Sequence, residues 1–250
     1  MHKMVFGVAA GAALLFAADA ALADGYGRRG GLKGGCAPAF QGFYIGAHGG
    51  YASLTSHQDD LDFFVSGFTA SDRGFSGGVQ IGYNFQPSCH TLWGIEADWS
   101  WGSLDATSRF LANIPGVDFR ITTSLNSYGT IRTRSGLVLD NLLLYVTGGL
   151  AFADMDTRVL YRQPGIDFVN GSSSDMRWGW TAGVGTEWAV ATNVSVKSEI
   201  LYMNFGDNNT TYPLVGVGPP TASQKTNDSM WVSRLGVNIK FGCGGRGSWC

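Results

Sequence analysis

Met230 to Phe241 reads Met-Trp-Val-Ser-Arg-Leu-Gly-Val-Asn-Ile-Lys-Phe. From Leu235 the odd positions are apolar: Leu235, Val237, Ile239 and Phe241. The even positions are polar or tiny: Arg234, Gly236, Asn238 and Lys240. Strict period-two alternation sets one strand face in an apolar medium and the other in a polar one. In a soluble sandwich the apolar face would look into the core. In an outer-membrane barrel it would look at lipid, with polar residues lining the lumen.

The N-terminus bears on the compartment. His2 and Lys3 form a short basic region, Val5 to Phe16 is apolar, and Ala21-Leu22-Ala23 places small residues where a signal peptidase reads. The pattern predicts a secretory signal peptide over 1–23. Its apolar run is too short for a membrane-anchoring helix, which needs about 20 residues. After cleavage about 227 of the 250 residues are left, a size that barrels reach undivided. Glycine and aromatics are plentiful, and Lys+Arg 17 nearly balances Asp+Glu 19. Such a balance offers no basic patch for nucleic acid. Residues 24–41 are Gly- and Arg-rich without periodicity and read as a flexible leader.

Eight segments then alternate: Gly42 to Ser53, Gly74 to Phe85, Thr91 to Ser103, Thr122 to Arg134, Leu142 to Met155, Met176 to Ala189, Asn193 to Phe205, and the stretch from Met230. The third sends Trp93, Ile95, Ala97, Trp99 and Trp101 outward, with Glu96, Asp98 and Ser100 inward. In the fourth, Leu125, Ile131 and Thr133 share one face, and Tyr128, Thr130, Arg132 and Arg134 the other. The connections alternate between short turns and long polar stretches at about 54–73, 104–121, 156–175 and 206–229. Short turns at one end and long loops at the other mark an outer-membrane barrel. The inward faces carry Glu96, Asp98, Glu187 and Glu199 together with Arg132, Arg134, Lys197, Arg234 and Lys240. A soluble β core could not bury so many charges cheaply, whereas a small barrel can pair them. The expected fold is all-β: an eight-stranded antiparallel up-and-down transmembrane barrel over 42–241, followed by a Gly/Cys-rich tail at 242–250.

Several segments carry a family resemblance: Gly42-Phe-Tyr-Ile-Gly46, Gly78-Val-Gln-Ile-Gly-Tyr-Asn-Phe85, Tyr128-Gly-Thr-Ile-Arg-Thr-Arg134, Leu144-Tyr-Val-Thr-Gly-Gly149, Gly179-Trp-Thr-Ala-Gly-Val-Gly185, Lys197-Ser-Glu-Ile-Leu-Tyr202 and Arg234 to Phe241. In order and content they resemble the small porin-like outer-membrane proteins of alphaproteobacteria, also called outer-membrane immunogenic proteins. The resemblance implies an abundant surface protein that supports envelope integrity, with hemin binding in some members. It also implies assembly by the barrel-assembly machinery and contact with membrane lipid and lipopolysaccharide. The chain departs from the family pattern in the residues after Phe241 and in its four cysteines.

Those cysteines are Cys36, Cys89, Cys243 and Cys250. Export to an oxidising compartment makes disulfides the first reading. In an even-stranded barrel all four fall at the periplasmic end, where they could pin leader and tail to the rim. Three pairings stay open. Metal binding is the weaker alternative, since no Cys-x-x-Cys spacing occurs.

No catalytic constellation stands out. Glu96 and Asp98 could be a hydrolase carboxylate pair, but cross-strand pairing with Arg132 and Arg134 explains them more simply. His48 reads as a lumen packing residue. His57 in the first long connection could touch heme iron, although a solvated histidine explains it as well. Tyr161 and Tyr212, in outer loops, are further family-level candidates for hemin. Gly183-Val-Gly185 is a strand pattern, with no helix after it to form a nucleotide loop. The expected protein is a monomer with a charge-filled lumen and a structural role. A surface receptor acting through the long loops, or a narrow small-solute porin, is the alternative.

Overall fold

The computed structural model describes residues 39–61, 68–110, 118–163, 166–213 and 221–241. The predicted signal peptide, the leader up to residue 38 and the tail 242–250 lie outside the described residues. Eight strands follow one another: β1 Gly42–Leu61, β2 Phe68–Phe85, β3 Thr91–Phe110, β4 Asp118–Leu139, β5 Leu142–Gln163, β6 Ile166–Ala189, β7 Val194–Pro213 and β8 Thr221–Phe241. Each pairs antiparallel with its neighbour, and β8 returns to β1 to close the barrel. Closure leaves the lower barrel without an edge.

From Trp231 to Phe241, exposed and buried residues alternate without a break. Leu235, Val237, Ile239 and Phe241 face outward, and Arg234, Asn238 and Lys240 face inward. The outward aromatics form two girdles. Tyr51 and Phe75 touch at 5.4 Å, Phe152 bridges Trp99 and Trp178 at 5.5 Å each, and Tyr202 lies 4.9 Å from Trp231 and 5.5 Å from Trp180. At the opposite end Phe43 meets Tyr83 at 4.6 Å, with Phe85, Trp93 and Phe241 exposed near it. Amphipathic rings collect at the two bilayer interfaces in this way.

The strands are far longer than the alternation predicts. They run from 18 to 24 residues. At about 3.3 Å per residue and a tilt near 40° they stand roughly 45 to 60 Å tall, against an apolar band of about 25 Å. Most of the four expected long loops is therefore strand, and what connects the strands at that end is reduced to 62–67, 111–117, 164–165 and 214–220. At the other end β4 continues through Leu139, so the turn to β5 contracts to Asp140 and Asn141, with Asp140 at φ 55°. That is a left-handed position, which Asp tolerates better than most residues.

The reason for the extra length is an inversion of polarity. Below the outer girdle the lumen is charged and the outside apolar. Above it the inside becomes apolar: Ala52, Leu54 and Ala70, with Leu201, Met203, Phe205, Met230 and Val232, meet Leu104, Ala106, Leu125, Tyr128, Ala151, Ala153 and Met155. Leu125 is thus inward, not on the face of Ile131 as the alternation suggested. A β-bulge between Leu125 and Ser127 resets the register there. Further shifts fall at Trp101/Leu104 and Asn204/Asp207, the same zone of the barrel. An extra residue bends a strand and reverses which side its alternate residues face.

Candidate functional site

The lower lumen is filled by one ionic cage. Glu96 on β3 accepts from Lys197 Nζ at 2.8 and 2.9 Å, from Tyr44 Oη at 2.7 Å, and from Arg132. Asp98 accepts from Arg234 Nη1 at 3.0 Å, Arg132 Nη2 at 3.2 Å and the Thr130 hydroxyl. Glu199 accepts from Arg234 Nε at 2.8 Å, Tyr145 Oη at 2.7 Å and Lys197 at 3.2 Å. Glu187 takes Arg134 Nη1 at 2.9 Å, Asn238 Nδ2 at 3.0 Å and the Ser195 hydroxyl. All eight ionic side chains are buried. Four cations balance four anions, so the cage carries no net charge to force open.

Strand register explains the placement. Glu96 is level with Arg132, Glu187 with Lys197, and Glu199 with Arg234. The bonds also cross the lumen, as from Lys197 on β7 to Glu96 on β3. Glycine makes room: a Cβ on Gly82 would sit 2.2 Å from the Tyr44 hydroxyl, and one on Gly185 would sit 2.5 Å from the Tyr145 ring. Both tyrosines reach their carboxylates through those gaps.

His48 lies beside the cage. Its Nδ1 is 3.0 Å from Gln80 Oε1, and its Nε2 is 2.9 Å from Ser100 Oγ and 3.4 Å from Arg234 Nη1. The arginine can only donate, so Nε2 accepts and Nδ1–H points at Gln80. Gln80 donates to Asn238, which donates to Glu187. This polar row joins the two sides of the cage.

Lys240, the ninth predicted lumen charge, is not in the cage. Its Nζ donates to the Ala39 carbonyl at 2.5 Å and stands 5.0 Å from the centre of the Phe40 ring. Phe40 is fully buried in the periplasmic mouth against Leu92, Val138, Leu143 and Tyr145, and its carbonyl accepts from Asn84 Nδ2 at 2.8 Å. The end of the leader is therefore a stopper. Its only sequence signal is Phe40 itself, one of two aromatics in the leader. Towards the other end of the lumen, level with Ala153 and Ser56, Arg177 pairs with Asp228. Sequence reasoning missed that pair because both residues fell in or beside an expected loop.

The hemin candidates lie on three different strands. His57 sits on β1, exposed, with Nδ1 2.8 Å from Thr69 Oγ1. Tyr161 and Tyr212 lie on β5 and β7, level with Phe119 and Ala222, and not in loops. Cys89 lies in the β2–β3 turn and is disulfide-bonded. Cys36, Cys243 and Cys250 lie outside the described residues.

Comparison with known proteins agrees with this architecture. The family model described as outer membrane protein beta-barrel domain matches residues 8–241. The 31 kDa outer-membrane immunogenic protein of Brucella melitensis biotype 1 is 32% identical over 211 residues, covering 81% of this chain and 84% of that protein. The 22 kDa outer membrane protein of Rhizobium leguminosarum bv. viciae is 28% identical over 68% of this chain and 66% of its own. Among solved structures, the outer membrane protein OprG of Pseudomonas aeruginosa shares the fold at a TM-score of 0.50 and 15% identity, over 82% of this chain and 98% of that one. The chain belongs to the outer-membrane β-barrel family that includes the alphaproteobacterial immunogenic proteins, and its place is the outer membrane.

Proposed function

We propose that the protein is a closed, monomeric structural element of the outer membrane that supports envelope integrity. The observation that carries this reading is Glu96: one carboxylate held by Lys197, Arg132 and Tyr44 from three other strands. Breaking such a knot means separating charges inside a low-dielectric interior, which costs several kcal/mol per unpaired ion. An eight-stranded barrel has a lumen that side chains just fill, and the Phe40 stopper adds a second barrier below the cage. The lipid-facing band fits membrane lipid, and the projecting upper strands fit contact with the lipopolysaccharide layer. Assembly by the barrel-assembly machinery is part of the same proposal, and the closed transmembrane barrel supports it.

Planar-bilayer recording of the refolded protein tests the closure. Little or no conductance is expected, and stable large channels would refute it. A deletion strain tests the role. It should become detergent-sensitive and shed vesicles, and a normal envelope would turn the argument toward the surface-receptor reading.

A further inference from the structure

Gly49 and Gly77 lie side by side on the lipid-facing side of β1 and β2. The outward residues above them are Tyr51 and Phe75, and those below are Ala47 and Val79. Packing compels the glycines of the lumen face. A Cβ on Gly46 would sit 2.2 Å from Asn238 Oδ1, and one on Gly78 would sit 2.2 Å from the Trp99 carbonyl. Packing does not compel this outward pair. A Cβ on Gly49 would come no closer than 3.9 Å to the Ser76 carbonyl, and one on Gly77 no closer than 3.5 Å to that of His48. Both are ordinary contacts. The pair instead leaves a notch in the outer girdle, bordered by exposed Tyr51, Phe75, Trp101 and Leu235. Gly148 has similar room but stands alone, level with Thr133 and Ala182.

Below the notch, Ala47 and Val79 belong to the lining of a groove of about 740 Å³, with Ile45, Ala97, Ile131 and Val237. The volume lies in the range of small-molecule sites, about 300–1,000 Å³. From Arg73 to Val79 is six residues, about 20 Å along the strand at ~3.3 Å each. At a tilt near 40° that is a height of about 15 Å, half of a hydrocarbon core of about 30 Å. Notch and groove together thus span one leaflet, the outer one.

Directly above the notch stands Arg73, the next outward residue after Phe75 on β2, exposed. Among the described residues it has no hydrogen-bond or ion-pair partner. Ser53, Thr55, Ser71, Ser229 and Ser233 surround it on β1, β2 and β8. Among the described outward residues of these three strands above the girdle there is no carboxylate. Asp105 stands beyond Arg73 on β3, its backbone N–H held by Asp72 Oδ2 at 2.7 Å. The opposite face has the reverse sign: Asp154 and Asp156 follow Phe152 on the outward side of β5. The second groove, about 590 Å³ lined by Leu137, Leu144, Val146, Val184 and Ile200, lies there and towards the periplasmic end.

We propose that the β8–β1–β2 face holds one molecule of the phosphorylated glycolipid of the outer leaflet, with a phosphate on Arg73 and an acyl chain in the notch and groove. A guanidinium offers a phosphate paired N–H donors in matching geometry. The hydroxyls around it suit the sugar that carries the phosphate. The lipid medium supplies acyl chains to the groove, and the cation above it selects an anionic headgroup. This site rests on the proposed contact with lipopolysaccharide and gives that contact an address. It needs no part of the structural role, so conductance and the deletion phenotype can fail while lipid binding holds.

The experiment counts lipids on the full protein, refolded in detergent micelles, by native mass spectrometry during titration with bis-phosphorylated lipid A. One tightly held lipid A per barrel is expected. Its affinity should fall at least tenfold on Arg73→Gln, and at least tenfold on Gly49→Leu/Gly77→Leu, which fills the notch and leaves the cation. Dephosphorylated lipid A should bind the original protein at least tenfold more weakly. Val146→Trp, in the other groove, should leave the affinity unchanged. Heat-modifiability on gels shows that each variant has folded. The proposal is overturned if Arg73→Gln or the filled notch binds as before, if dephosphorylated lipid A binds as tightly, or if phosphatidylglycerol displaces lipid A at equal concentration. The last result would make the face a site for any anionic lipid.

Discussion

Trp231 faces out at the girdle with more than half its surface exposed, while its neighbour Val232 is buried in the barrel interior. Two consecutive apolar residues on opposite faces mark the level where β8 changes medium. The same step occurs on β1, from exposed Tyr51 to buried Ala52, and on β5, from exposed Leu150 to buried Ala151. Below this level hydrophobic burial is done by lipid. Above it the protein must supply its own core.

That inversion predicts opposite sensitivities at adjacent positions. Leu54 is fully buried in the upper layer, and Thr55 beside it points outward. Leu54→Ala should lower stability by about 2–5 kcal/mol, the range for a buried leucine truncated to alanine. Thr55→Ala should stay within about 0.5 kcal/mol, as surface changes do. Urea unfolding in liposomes, followed by tryptophan fluorescence, measures both. Equal effects would mean the upper strands do not enclose a core.

The same inversion explains what was legible in the sequence. Strand number, direction, closure and the inward set from Glu96 to Lys240 all follow from alternation, because lipid and lumen impose opposite demands on adjacent residues. The upper strands did not announce themselves, since the apolar set changes parity at the girdle and a bulge such as Leu125/Ser127 breaks the count. Polar outward residues such as Ser53 and Thr55 then resemble loop. The partners within the cage were legible only between adjacent strands. Lys197 to Glu96, and the seating of Phe40, depend on the curvature that brings distant strands together.

The cage predicts strong coupling. Glu96→Gln leaves Lys197 and Arg132 one carboxylate short, with Glu199 still beside both, and should cost about 3–5 kcal/mol, as breaking a buried pair does. Adding Lys197→Met removes one stranded charge, so the double variant should lose less than the two single variants summed. A double-mutant cycle by urea unfolding reads the difference. Strict additivity would show that the pair does not interact in the membrane.

The stopper and the cage are separate barriers, and they can be separated by experiment. Phe40→Ala removes a fully buried ring from the periplasmic mouth and should destabilise by about 3–5 kcal/mol. Conductance should stay low, because the ions behind it remain paired. Adding Arg134→Ala, which takes the paired cation from Glu187, should produce measurable ion leak in planar bilayers. Leak from Phe40→Ala alone would place the main seal at the stopper.

The last prediction concerns the bond made by Cys89. Its turn joins the foot of β2, where Asn84 holds the Phe40 carbonyl, to the start of β3, where Leu92 packs on the Phe40 ring. Cys36 precedes Phe40 by four residues, which span at most about 14 Å. The stopper thus anchors the leader beside the turn, and we expect Cys36 to pair with Cys89, leaving Cys243 for Cys250. Tryptic cleavage separates the possibilities: under non-reducing conditions Gly34–Arg73 should stay linked to Gly74–Arg109. A link from Gly74–Arg109 to a fragment after Lys240 would assign the bond to the tail instead. Cys89→Ser should lower stability by about 2–4 kcal/mol, as loss of a bond closing a long loop does, and its effect should overlap that of Phe40→Ala because both act on one anchor.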